Sequence, residues 1–174
     1  MKDFNLIVSS SRFREEEACD EMLDLLDSFG DSEAEAELTE VKGIILALTR
    51  LDPLQVIERL KKLVSDEPWE VRYIMRVLPV EKTVPAELED IQGAVSGLAE
   101  RIGLQDSFRV TVEKRHSALR SVEVIEYVAE AVKRRVNLTE PNWIVLVEII
   151  GDNAGISILK KDQIFSSIVE KRAG

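Results

Sequence analysis

The chain has 174 residues, 45% of them apolar, and sets 33 acidic against 23 basic side chains, for a net charge of −10 at pH 7. That length buries one good core or two small ones. No apolar run is long enough to cross a membrane and the first residues lack a signal-peptide pattern, so a soluble, cytoplasmic protein with no membrane partner is expected. One cysteine, Cys19, and one histidine, His116, exclude an internal disulfide and a Cys/His zinc site.

The total charge hides a gradient. Residues 1–106 hold 24 acidic and 12 basic side chains, whereas residues 107–174 hold 9 and 11. Any polyanion is therefore expected to meet the second half.

In chain order, residues 4–9 (FNLIVS) read as a first strand, followed by a serine turn in which Ser11 is placed to cap a helix over residues 12–29. Ala18, Met22, Leu25, Leu26 and Phe29 share one face of that helix and acidic residues occupy the rest, a solvated face. Gly30 ends it. Residues 35–41 and 44–50 read as two strands around Lys42-Gly43. A second helix begins at Asp52-Pro53, cap and first turn, with an apolar stripe of Leu54, Ile57, Leu60, Leu63 and Val64. Residues 69–78 alternate as a strand. The order β-α-β-β-α-β is the split βαβ pattern of ferredoxin-like folds and closes near Val80.

A helix is expected over residues 83–103, and residues 107–113 alternate Phe108, Val110 and Val112 inward. That strand runs into Lys114-Arg115-His116. A further helix over residues 121–136 carries Val122, Ile125, Val128, Val132 and Val136 and ends on Lys133-Arg134-Arg135, where cations suit the carbonyl end. Residues 143–150 (WIVLVEII) are too apolar and β-branched for a half-wet strand and predict a central one covered on both faces. Gly151 and its neighbours supply a tight turn, and residues 154–159 return as a second strand. The expected architecture is α/β (α+β), with domains at residues 1–80 and 81–174.

Catalytic chemistry has few candidates: Cys19 sits in an acidic helix, no nucleophile elbow exists, and the glycines near 151 lack the Gly-Lys-Ser/Thr of a phosphate loop. No enzyme activity, cofactor or metal is expected. The positive signal is Lys114, Arg115, His116 and Arg120, potentially cationic groups between a strand end and a helix start, where free N–H groups also face anions. Lys160 and Lys161, after the hairpin's second strand, are placed on the same sheet edge.

Lys114-Arg115, then Arg120-Ser121 and a helix, then Val136-Asn137-Leu138-Thr139-Glu140-Pro141-Asn142, Val147-Glu148-Ile149-Ile150-Gly151 and Ala154-Gly155-Ile156-Ser157 resemble a THUMP domain. The chain is most similar to stand-alone THUMP proteins that serve as tRNA-binding adaptors for cytidine acetylation. Residues 76–81 (RVLPVE) resemble the stretch joining a ferredoxin-like N-terminal module to THUMP. The resemblance implies a tRNA-binding adaptor that presents the acceptor end, with its single-stranded 3′ terminus, to a separate acetyltransferase. It matches Lys114 and Arg115 to the family's basic strand end, Arg120 to the basic residue before the helix, and Gly151, Gly155 and Ser157 to the hairpin signature. His116 stands where relatives often carry a polar residue. With no catalytic domain after residue 174, catalysis is expected from the partner. The competing expectation is an acidic protein-interaction module that needs no RNA.

Overall fold

The computed structural model describes residues 1 and 3–173; Lys2, and Gly174 at the end of the expected second domain, lie outside the described residues. Two units emerge, one of residues 1, 3–80 and 162–173, the other of residues 81–161.

The first unit opens with β1 (Leu6–Ser10), α1 (Glu15–Ser28), β2 (Glu35–Leu38), β3 (Ile44–Leu48), α2 (Pro53–Asp66) and β4 (Ile74–Pro79). The strands align β4-β1-β3-β2, each pair antiparallel, which is the ferredoxin-like arrangement expected from the element order. Leu6, Val8, Ile45 and Ala47 meet Met22 and Leu26 of α1 and Ile57 and Leu60 of α2 in one core. Helix α2 starts as its sequence dictates, with the Asp52 carboxylate accepting from the Leu54 N–H at 2.9 Å and Pro53 in the first turn.

Two local expectations fail. Ser11 does not cap α1, which starts at Glu15 after Arg14; the Ser11 carbonyl accepts from the Arg14 N–H at 3.2 Å while Phe13 takes a left-handed φ of 71°. Residues 68–70 form a 3-10 turn with Trp69 65% exposed, so the strand expected from residue 69 begins only at Ile74. The cause lies 50 residues away: the Glu21 carboxylate on α1 accepts from the N–H groups of Arg72, Tyr73 and Ile74, all at 3.0 Å, and fixes where that strand enters the sheet.

Asp31, 2% exposed, ties the end of α1 to the end of β3. It accepts from the Thr49 hydroxyl at 2.6 Å, the Arg50 N–H at 2.9 Å and the Glu33 N–H at 3.1 Å. The Thr49 bond leads in holding its carboxyl below the usual range, burial works against it, and the backbone donors and the Arg50 charge add to it. A depressed carboxylate stabilises the fold above its ordinary pKa, and that contribution disappears as pH falls through the folded value. Asp31→Asn is therefore expected to lower the urea midpoint at neutral pH, with the gap to the parent closing below about pH 4. A gap that stays constant from neutral to acid pH would remove Asp31 from this role.

The second unit contains β5 (Lys82–Pro85), α3 (Leu88–Leu98), β6 (Ser107–Arg115), α4 (Ser121–Ala129), β7 (Arg135–Val136), β8 (Trp143–Ile150) and β9 (Asn153–Leu159). Its sheet runs β5-β9-β8-β6-β7, with β6 parallel to both β7 and β8 and the other pairs antiparallel. Every residue of β8 from Ile144 to Ile150 is buried, as its composition demands. Ile91 and Val95 of α3 and Val124 and Val128 of α4 cover Phe108, Val145, Val147, Ile149 and Ile156 on one face. Leu146, Glu148, Ser157 and Leu159 on the other face are buried as well.

The helix expected over residues 83–103 is shorter because Lys82–Pro85 pairs with β9 as an edge strand. The helix expected to reach residue 136 stops at Ala129. The N–H groups of Ala131 and Val132 reach back three residues, to Val128 and Ala129, and the chain tightens out of the helix. Val132 stays buried, but Val136 is 53% and Val122 59% exposed. Lys133-Arg134-Arg135 consequently lies beyond the helix. Gly151 makes the hairpin turn with φ 59°. Gly155 of the hairpin signature lies inside β9, paired with Glu148 on one side and Thr83 on the other.

Beyond residue 161 the chain returns to the first unit as β10 (Phe165–Ser166) and α5 (Ser167–Ala173). This corrects the expected span of 81–174 for the second domain. β10 pairs with β4 at Val77 and Arg76, covering backbone groups of that edge, and Phe165 enters the first core fully buried. The Lys171 ammonium donates to the Val71 carbonyl at 2.7 Å, and Lys61 donates to the carbonyl of Asp162.

Candidate nucleic-acid interface

β6 leaves the sheet at Arg115, beside Ile150 at the end of β8, and the Arg115 carbonyl accepts from the Gly151 N–H at 2.9 Å. His116 then takes φ 57°, a left-handed turn that lifts the chain off the sheet into the loop before α4. Three of the expected site residues, Lys114, His116 and Arg120, are exposed at this corner.

Strand geometry separates Lys114 from Arg115, since consecutive residues face opposite sides of a sheet. Lys114 lies on the helix-covered side, where its ammonium donates to the Leu119 carbonyl at 2.8 Å and steadies the loop. The Ser117 hydroxyl accepts from the Leu119 N–H at 3.2 Å in the same loop. Arg120 occupies the cap position of α4 in extended conformation, and no side chain caps the helix there. The first-turn N–H groups thus stand beside Lys114 and Arg120, a favourable place for a phosphate.

Arg115 points to the other side and is largely spoken for. Its guanidinium donates to the Glu148 carboxylate at 2.7 Å, with the Glu148 side chain 1% and the Arg115 side chain 24% exposed. The pairing follows from register, Glu113 opposite Glu148 and Arg115 two residues on. The corner also has acidic neighbours in Glu113, Glu123 and Asp152, all exposed.

Lys160 and Lys161 do not join this cluster. Arg115, Ile150 and Asn153 mark one end of the sheet, and Arg109, Ile144 and Leu159 are in register toward the opposite end. Lys160 is thus seven residues along β9 from Asn153, about 23 Å at strand rise. Because β9 is antiparallel to β8, the end of the hairpin's second strand returns to the start of β6. There Lys160 lies 5.0 Å over the Trp143 ring. Glu148, the lone charge in the apolar run of residues 143–150, is here the buried partner of Arg115.

No helix among the described residues is long and apolar enough to cross a membrane. No curated protein sequence matches the chain. In fold it is similar to PH1313 from Pyrococcus horikoshii Ot3, with 20% identity and a TM-score of 0.68 over 91% of this chain and 55% of that one. It is similar to TrmN from Thermus thermophilus, with 21% identity and a TM-score of 0.57 over 88% of this chain and 44% of that one. A 4-thiouridine synthetase solved with RNA and ATP shares 11% identity and a TM-score of 0.56 over 94% of this chain and 42% of that one. At these identities the likeness is one of fold, and the chain spans about half the length of these proteins or less. Residues 85–159, from the end of β5 through β9, match the THUMP domain model. The second unit of this chain therefore carries a THUMP domain.

Proposed function

We propose that this chain is a tRNA-binding adaptor that takes part in tRNA modification and presents the acceptor end of tRNA to a separate enzyme, a cytidine acetyltransferase. The observation that carries the reading is the THUMP match over residues 85–159, which contains the exposed Lys114, His116 and Arg120 at the uncapped start of α4. A fold relative solved with RNA supports it. Affinity for a polyanion comes from local phosphate contacts and released counterions, so a net charge of −10 is no bar.

Under this reading the chain works in the cytoplasm and leaves catalysis to its partner. Burial raises the pKa of the Cys19 thiol, with the charge of Asp20 adding to it, and that makes it a poor nucleophile. Purified chain given tRNA, acetyl-CoA and ATP is expected to leave the tRNA unmodified; acetylation by the chain alone would overturn this part.

Lys114→Glu with Arg120→Glu is expected to weaken tRNA binding. Each lost phosphate contact flattens the log–log salt dependence by about 0.7 to 0.9, so the double variant should lower that slope by roughly 1.5. Both side chains are exposed, so the urea midpoint should hold. Parent-like binding across several salt concentrations would place the RNA site elsewhere.

A further inference from the structure

Phe13 is the most exposed large apolar side chain among the described residues, at 83%, and it stands on a backbone φ of 71° that residues other than glycine rarely adopt. The φ belongs to the turn closed by the Ser11 carbonyl and the Arg14 N–H, but the exposed ring adds nothing to the core. Phe13 touches no core, and a glycine or asparagine there would relax the loop between β1 and α1. The same loop is otherwise well held, with the Ser10 N–H donating to the Gly43 carbonyl at 2.9 Å and the Gly43 N–H to the Glu15 carboxylate at 2.9 Å.

Phe13 stands at one wall of an open cleft of about 360 Å³, whose other wall is the β2–β3 connection with Leu38 47% exposed and Val41 half-buried. Its lining carries Glu15, Glu16, Glu17 and Glu40 against Lys42, and the exposed Arg12 and Arg14 flank Phe13. Arg14 offsets Glu17 only loosely, at 3.4 Å between exposed side chains. The described residues of the first unit carry 20 acidic and 11 basic side chains, net −9, whereas those of the second carry 13 and 11. Two walls that each carry an exposed apolar side chain, with an excess of carboxylates beside them on the acidic unit, disfavour nucleic acid and suit a cation flanked by an apolar group.

We propose that this cleft docks a segment of a partner protein that presents an apolar side chain flanked by lysine or arginine, with Phe13 and Leu38 gripping the apolar group and Glu16, Glu17 and Glu40 facing the cations. The site deepens the adaptor reading by giving the protein partner a place on the first unit, separate from Lys114 and Arg120 on the second. Its chemistry follows that of other interfaces, an aromatic anchor within a polar rim.

The test uses three synthetic nonapeptides: one with a central leucine flanked by lysines, one with those lysines replaced by glutamate, and one with the leucine replaced by serine. Each is titrated into the full chain while backbone amide shifts are followed. The leucine–lysine peptide is expected to move the amides of residues 11–17 and 38–43 in a saturable way, and the other two to bind at least fivefold more weakly. Phe13→Asn should fold with an unchanged or higher urea midpoint, lose at least fivefold in peptide affinity, and bind tRNA like the parent. The proposal is overturned if the serine peptide binds as well as the leucine peptide, which would reduce the effect to diffuse charge. It is equally overturned if Phe13→Asn keeps its peptide affinity or lowers the urea midpoint, or if it weakens tRNA binding, which would make Phe13 a nucleic-acid contact. Parent-like tRNA binding by Phe13→Asn with no peptide binding by the parent would sink this site and leave the RNA reading standing.

Discussion

Val147→Asp is expected to unfold the second unit or bring it close to unfolding. Val147 is fully buried at the centre of β8, between Val112 of β6 and Ile156 of β9, on the face covered by α3 and α4. An aspartate there has no cation within the apolar cluster. It must either stay charged in a low-dielectric site or take up a proton, and both cost several kcal/mol. Since a small domain commands only about 5 to 15 kcal/mol in all, that is a large share of its stability. Val147→Ala separates the charge from lost packing and should cost only about 1 to 3 kcal/mol. Urea unfolding of both variants, followed by Trp143 fluorescence, decides the matter. If Val147→Asp unfolds at a denaturant concentration close to that of the alanine variant, β8 is not the covered centre of its sheet.

What could be read from the sequence was what neighbouring residues settle between themselves. The run from Ile144 to Ile150 carries its burial in its composition, and Asp52-Pro53 starts α2 with a cap bond two residues long. Elements fixed by distant partners were not legible. β5 is four residues ending in proline and exists because β9 offers it an edge; β10 is two residues that pair with β4 from almost 90 positions away. The apolar spacing of α4 runs on past its end because Val132 is still needed in the core after the helix has tightened into a turn. At the site, the charges after β6 were plain, but the period of two that sends Lys114 and Arg115 to opposite sides acts only once the strand is known to reach residue 115. Lys160 and Lys161 were misplaced for the converse reason, since the antiparallel return of β9 carries them to the far end of the sheet.

Arg115 and Glu148 are expected to behave as a structural pair first. Arg115→Ala removes the cation beside a carboxylate that is 1% exposed, and breaking a buried pair from one side costs about 3 to 5 kcal/mol. Lys114→Ala, one residue earlier on an exposed side chain, should stay within about 0.5 kcal/mol of the parent. Replacing both members together, Arg115→Met with Glu148→Leu, should recover part of the loss, because apolar groups of similar volume replace buried ion pairs at little cost. The exchanged variant also isolates what Arg115 does for RNA. In the simple Arg115→Ala protein a drop in tRNA binding is indistinguishable from partial unfolding, whereas in the restabilised double variant any remaining drop reports a phosphate contact by the Arg115 side chain, which is 24% exposed. Urea midpoints of the parent, Arg115→Met, Glu148→Leu and the double variant give the coupling directly, and a coupling below about 0.5 kcal/mol would mean that Arg115 is held for the ligand and not for the fold.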